Sequence, residues 1–308
     1  MTLPLALYRG FVNTWECDEM GHMNVQFYMA KLDEGLHHLR AALGMPAAAS
    51  GGLALRVTSV HVRFLAEQRA SDTLAIRGGV AGADESGVTV YSEMVNPGAE
   101  RVAATFRSRL EAWDRKAGAP APVPPEVLKR AREFRCDIPE YGSARGVPAV
   151  PDLPAFTLDE GRRRGLIEIY RGAVMPKHCD VYGWNSLQHY AGRVSDGAPH
   201  LWLALGLDRQ KMLEIGHGVA VVEFCWRHEA PLEAGRTVVA ASGVLDTGRK
   251  TVSLRHCLFD GATGKPVGVS EAVAVALDLK ERRAVELRDD ERAMLEKGRV
   301  QWPEANSS

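Results

Sequence analysis

The residues best suited to chemistry lie together near the start of the chain, in Asp18-Glu19-Met20-Gly21-His22-Met23-Asn24. A carboxylate with an ordinary pKa of about 3.9 is charged at neutral pH and can activate water or attack a carbonyl carbon. The glycine three residues on lets the backbone approach a substrate closely. If a helix begins at Asn24, the N–H groups around His22, Met23 and Asn24 can donate to an oxygen on which charge develops, and the helix dipole acts in the same sense. His22 and Asn24 would orient the turn or the substrate. The set suits attack on an acyl carbonyl and leaves open whether Asp18 is base or nucleophile. No spacing typical of metal ligands is present.

The same stretch occurs twice. A shift of 162 residues lays YRGFVNTWECDEMGHMNVQFY, residues 8–28, on YRGAVMPKHCDVYGWNSLQHY, residues 170–190, with nine identities in 21 positions. Asp18, Gly21 and Tyr28 recur as Asp180, Gly183 and Tyr190. The chain therefore contains an internal duplication.

Each copy spells the same elements. In the first, Met29, Leu32, Leu36, Leu39 and Leu43 fall at three- and four-residue spacing and predict a helix over 24–43, capped by Asn24 and stopped by Gly44 and Pro46. Strands are expected near 54–65, 73–81, 87–96 and 101–113. The second copy predicts a helix over 186–205, kinked near Gly197 by Pro199, and strands near 218–228, 236–245, 250–259 and 266–278. One long helix on a bent antiparallel sheet, twice over, is an α+β architecture whose sheets can pair edge to edge. The expected divisions are a first unit at 1–116, a Pro-rich surface linker at 117–157 with a short basic helix near 125–135, a second unit at 158–289 and a mobile tail at 290–308.

Composition narrows the function. Among 308 residues, 38 Lys and Arg balance 39 Asp and Glu to a net charge of −1, which gives no field to attract nucleic acid. No apolar run approaches the length of a membrane span, and no leader is read in MTLPLALYRG. The five cysteines are scattered and never in CxxC spacing, so a reducing cytoplasm is the expectation, without disulfides or zinc. Nucleotide-binding glycine motifs and GxSxG are missing in suitable context, and no cofactor is expected.

The turn motif, followed by Tyr28 and the acidic pair Asp33-Glu34, resembles that of the hotdog-fold acyl-CoA thioesterases of the 4-hydroxybenzoyl-CoA thioesterase type, D-x-M/L-G-H-x-N-N before a Tyr-containing helix. The resemblance covers about 5–113 and 166–280 and implies a tandem, or double, hotdog. It implies an acyl-CoA substrate, with CoA as part of that substrate, and a site at the interface of the two units. It also implies further association into a homo-oligomer, a dimer of double hotdogs. Val25 replaces the second asparagine of the pattern; the second copy has Trp184 in place of His22 and Asn185 one position early. The first copy is therefore the better catalytic candidate.

Further candidates are weaker. Glu34 and Asp196, 162 apart in the helices, stand where some relatives place an acidic catalytic group, and Glu223 matches His61 in corresponding strands. Trp15, Tyr28, Tyr182 and Trp184 lie near the turns and can hold an acyl group, including a quaternary ammonium such as betainyl, by cation–π attraction. Arg56, Arg63, Arg69, Arg227 and Arg249 are candidates for CoA contacts. Thioester hydrolysis is the leading reading; a hotdog hydratase or dehydratase and a non-catalytic acyl-CoA sensor are the alternatives.

Overall fold

The computed structural model describes residues 3–45, 52–300 and 302. The first unit runs β1 (Leu5–Phe11), α1 (Val25–Ala42), β2 (Leu53–Phe64), β3 (Thr73–Asp84), β4 (Gly87–Asn96), β5 (Arg101–Asp114) and a short β6 (Ala119–Pro120). After α2 (Pro125–Glu133) and α3 (Leu158–Arg163), the second unit runs β7 (Ile167–Ala173), α4 (Leu187–Ala204), α5 (Arg209–Glu214), β8 (His217–His228), β9 (Thr237–Thr247), β10 (Thr251–Asp260), β11 (Pro266–Asp278) and β12 (Arg283–Ala284). It closes with α6 (Asp289–Lys297).

The strands form one antiparallel sheet in the order β1-β3-β4-β5-β2-β8-β11-β10-β9-β7, which reads the same from either end once the units are matched. The halves meet where β2 pairs with β8, from Ser59 opposite Arg227 to Arg63 opposite Glu223. This pairing removes two edges that would otherwise invite aggregation. The helices α1 and α4 pack on each other over the same face of the sheet. This is the tandem hotdog, and its strands and two long helices fall within a few residues of their sequence positions.

Helix α1 forms as its pattern dictates. Asn24 Oδ1 accepts the N–H of Gln26 at 3.1 Å, the stripe Leu32, Leu36, Leu39 is fully buried, and Gly44 at φ +78° ends the turn. Pro46, the other expected stop signal, lies outside the described residues. Helix α4 runs through Pro199.

The segment between the units is more than a surface connection. Val127 and Ala131 of α2 are buried, and the chain after it bonds to β3, with Val80 N–H on Phe134 O and Cys136 N–H on Val80 O. Farther on it crosses the outer face of the seam, where Arg145 and Gly146 N–H donate to Glu223. Contrary to the expectation of a mobile tail, residues from 289 form α6, with Leu295 buried, and Val300 N–H bonds to Val244 O. Apolar contact with β9 explains the difference: the polar sequence hides one inward stripe. Residues 303–308 lie outside the described residues. The five cysteines are free, and among the described residues no helix is long and apolar enough to cross a membrane.

Candidate active site

The turn before α1 is built on a buried ion pair. Lys31 Nζ, on α1, meets Glu16 Oε1 at 2.8 Å, while Glu16 Oε2 accepts the N–H of Asn13 at 2.8 Å and Glu16 O accepts that of Asn24. The chain between is pinned by Asp18 N–H on His22 O and Gly21 N–H on Asp18 O, and Gly21 takes φ +75°, a conformation that any side chain would strain. Inside this loop Asp18 Oδ1 accepts the N–H of Met20 at 3.0 Å, and Asp18 Oδ2 lies 3.4 Å from His22 Nδ1. The other ring nitrogen, His22 Nε2, is buried and has no hydrogen-bond partner among the described residues. Tyr28 is buried behind the turn, and burial raises its hydroxyl pKa.

Two of the three N–H donors expected for an oxyanion are already used. Met23 N–H donates to Gln68 O at 2.7 Å and Asn24 N–H to Glu16 O at 2.9 Å. The backbone bonds that shape the turn consume them; His22 and Val25, first in the helix, line the cavity on either side of these two.

From this turn a cavity of about 1010 Å³ runs under α4. Asp18, His22, Asn24 and Tyr28 of the first unit line it, and the second unit supplies α4 and strands β8, β10 and β11. The lining reaches from Val219 to Trp226 on β8, about 23 Å at the rise of an extended strand. Its origin is legible by comparing the units. Met29, Leu32 and Leu36, which fill the core beneath α1, have Ala191, Val194 and Ala198 as their counterparts in α4. Likewise Phe106, paired with Val62, is matched by Ala272, paired with Phe224. Lost side-chain volume in the second unit opens the space that the first unit fills. Sequence reasoning missed the cavity, although the 162-residue shift carries the helix part of this signal; the match of Phe106 to Ala272, 166 residues apart, needs the strand pairing.

The second turn keeps the backbone design and loses the opening. Gly183 takes φ +84°, and Asp180 Oδ1 accepts the N–H groups of Tyr182 and Trp184 at 2.8 and 3.0 Å. The Trp184 and Tyr182 rings meet at 5.3 Å, tilted by 31°, and pack on Ala54 and Trp113, with the Arg40 and Arg115 guanidinium groups over the Tyr182 ring. Only about 30 Å³ remains there. Burial raises the Asp180 carboxyl pKa, although hydrogen bonds from Trp184 and Tyr182 oppose it. Asn185 is tied to Arg193 Nη1 at 2.7 Å and does not cap α4.

The weaker candidates separate. Asp196 lines the cavity; Glu34 is exposed on α1 away from it. Glu223 lies on the opposite face of the sheet, bonded to His61 Nε2 at 2.7 Å and to the linker amides, because its neighbours Phe224 and Trp226 take the inward positions. Trp15 is 74% exposed and, with Tyr182 and Trp184, lies off the cavity. The aromatic walls of the cavity are Tyr28, Phe64, Tyr190, Trp202, Phe224 and Trp226. Of the arginines named for CoA, Arg69 stands at the mouth, whereas Arg56 is buried over Trp113 and Arg63, Arg227 and Arg249 are engaged elsewhere. Arg101 and Arg282 join Arg69 there, and neither was singled out in sequence.

Comparison with known proteins agrees with this architecture. The family model described as the thioesterase-like superfamily matches residues 12–131 and again 174–295. An L-carnitine dehydrogenase/betainyl-CoA thioesterase of Agrobacterium fabrum is 30% identical over 128 residues, 41% of this chain. The match spans only 26% of that relative's length. The 12:0-ACP thioesterase of Umbellularia californica superposes over 87% of this chain and 93% of its own, with a TM-score of 0.66 at 12% identity. An acyl-ACP thioesterase of Bacteroides thetaiotaomicron does so over 87% and 96%, with a TM-score of 0.61 at 9% identity. These two show a shared fold.

Proposed function

The chain belongs to the thioesterase-like superfamily, and on that premise we propose that it hydrolyses an acyl-CoA thioester with Asp18 as nucleophile or general base. One observation carries the reading: the large cavity opens beside the Asp18–Asn24 turn of one unit and continues beneath the helix of the other. The acyl chain occupies that space, and the thioester carbonyl sits at the turn.

As nucleophile, Asp18 forms a bond from a carboxylate oxygen to the acyl carbon, the C–S bond breaks, and the CoA sulfur leaves as a thiol after taking a proton; water then cleaves the mixed anhydride. As base, Asp18 takes the proton of a water whose oxygen attacks the same carbon. His22, 3.4 Å from Asp18 and with Nε2 unpaired among the described residues, is a group beside it able to pass a proton. The N–H groups of His22 and Val25, at the positive end of the α1 dipole, receive the developing oxyanion. Arg69, Arg101 and Arg282 at the mouth face the CoA phosphates as they leave the cavity.

A second reading of the acyl group has its own support. The aromatic walls Tyr28, Phe64, Tyr190, Trp202, Phe224 and Trp226 suit a quaternary ammonium, as in the betainyl-CoA named for the curated relative. A betainyl group fills only the first part of so long a space.

The test is thiol release from short, aromatic, long and betainyl acyl-CoAs by wild type, Asp18→Asn and Asp180→Asn. Asp18→Asn is expected to lower kcat by about 100-fold or more without loss of fold, and Asp180→Asn to leave it nearly unchanged. Near-normal turnover by Asp18→Asn overturns the assignment. Acyl-CoA binding without release by wild type favours the hydratase or sensor instead.

A further inference from the structure

The floor of the cavity carries a row of polar groups where the first unit is apolar throughout. Ser270 on β11 pairs with Trp226 on β8 and with His256 on β10, and His256 pairs with Ser242 on β9. Directly opposed residues point to one face, so these four side chains form a line across the sheet. Three of them, Trp226, Ser270 and His256, line the cavity. The matching line in the first unit is Phe64, Ala104, Met94 and Ile76, joined by the same pairings. Phe64 and Trp226, and Met94 and His256, are each 162 residues apart.

Polar groups placed in an apolar wall are costly unless they find partners. Ser270 and His256 are each 4% exposed. His256 Nδ1 is satisfied by Ser242 Oγ at 2.7 Å, which fixes the ring and leaves Nε2 over; neither Nε2 nor Ser270 Oγ has a hydrogen-bond partner among the described residues. Burial pushes the His256 imidazole down to about 4, so the ring is neutral and offers Nε2 as donor or acceptor according to its tautomer. Among the described residues, no lysine or arginine joins Leu254, Ala272 and Tyr190 in lining this end; the basic lining residues are Arg69, Arg101 and Arg282.

We propose that His256 and Ser270 form a specificity subsite for an uncharged oxygen, a hydroxyl or oxo group, carried on the acyl chain beyond its first few carbons. The proposal rests on the thioesterase reading for the name of the substrate, and on the cavity alone for the subsite. A neutral ring and a serine hydroxyl bond such an oxygen in either direction, whereas a carboxylate tail would be buried without a counter-charge. A plain alkyl chain would leave both groups unsatisfied, so the row discriminates against it.

The experiment exchanges the row for its counterpart. His256→Met and Ser270→Ala install the residues that the first unit already packs at these positions. Wild type and the double variant are compared on dodecanoyl- and hexadecanoyl-CoA and on the same esters with a hydroxyl at mid-chain or at the chain end. Wild type is expected to favour one hydroxylated ester over the plain one at least about fivefold in kcat/KM, and the double variant to lose that preference while keeping the plain ester. The free dodecanoic and hydroxydodecanoic acids are titrated by calorimetry in parallel, so that binding preference is read even if no ester is hydrolysed. Preference in binding without hydrolysis keeps the subsite and overturns the thioesterase reading. Equal handling of plain and hydroxylated chains by wild type, or a preference that survives the exchange, overturns the subsite.

Discussion

Asn24 of the first unit and Ser195 of the second meet across the junction, Asn24 Nδ2 donating to Ser195 Oγ at 2.8 Å. The duplicated position reverses the arrangement: Asp33, the counterpart of Ser195, accepts the N–H of Leu187 at 3.1 Å with Oδ2 and so caps α4 from outside, while Ser186, the counterpart of Asn24, makes no side-chain cap. Each long helix is thus held at its start by a contact from the middle of the other. One contact stands at the open cavity and the other at the closed turn.

Asn24→Ala removes both the cap of α1 and the bond to Ser195. Loss of a cap costs about 1 kcal/mol, so urea unfolding is expected to show a destabilisation of that size. Thiol release should fall further than in Ser195→Ala, which leaves the cap in place. Equal activity in the two variants would mean that the cap does not position the turn.

Asp33 predicts a pH dependence unrelated to catalysis. Burial pushes its carboxyl up to about 6, against the pull of Arg40. With the folded value above the unfolded one, the folded state holds the extra proton between about pH 4 and 6, and stability falls as pH rises through that window, by up to about 3 kcal/mol. Asp33→Asn keeps an oxygen for Leu187 N–H and removes the titration. Its melting temperature should change less between pH 4 and 6.5 than that of wild type and should equal or exceed it at pH 7.

Refilling the second unit should close the acyl site. Ala191→Met and Ala198→Leu place in α4 the side chains that α1 carries at Met29 and Leu36. Turnover of long acyl-CoA esters is expected to drop about tenfold or more, with acetyl-CoA little affected, and stability to rise as apolar volume replaces the void. Unchanged long-chain turnover in the double variant would place the acyl group elsewhere.

The duplication, the helix stripes and the period-two strands were legible because each is a local pattern repeated, and the Asp18–Asn24 turn was legible because a glycine, a cap and a carboxylate must follow one another in the chain. The cavity was not, because it depends on differences between Met29 and Ala191 or Phe106 and Ala272, which matter only once the helices are laid on the sheet. Periodicity likewise could not say that Tyr182 and Trp184 fill one turn while His22 leaves the other open. Nor could it recover Arg282, brought from far along the chain to Met20 O at 2.8 Å.

Glu223 offers the sharpest separation of stability from catalysis. Its carboxylate accepts hydrogen bonds from His61 Nε2, Arg145 N–H and Gly146 N–H at 2.7, 2.8 and 2.7 Å, on the face of the sheet turned away from the cavity. Burial disfavours its charge, but the bonds from His61 and the two amides prevail and hold its pKa below the usual value. With a depressed folded pKa, the stability it gives is present above the unfolded pKa of about 4.3 and is lost as pH falls below it. Glu223→Ala leaves His61 and two linker amides buried without an acceptor, a change that costs about 3 kcal/mol for a buried pair. The variant is expected to unfold at lower urea, and its acid transition should lose the share that Glu223 contributes. Measured well below its melting temperature, its kcat should stay within about twofold of wild type, since no atom of the site rests on this carboxylate. A large fall in kcat with the fold intact would instead make Glu223 a positioning residue acting through β8.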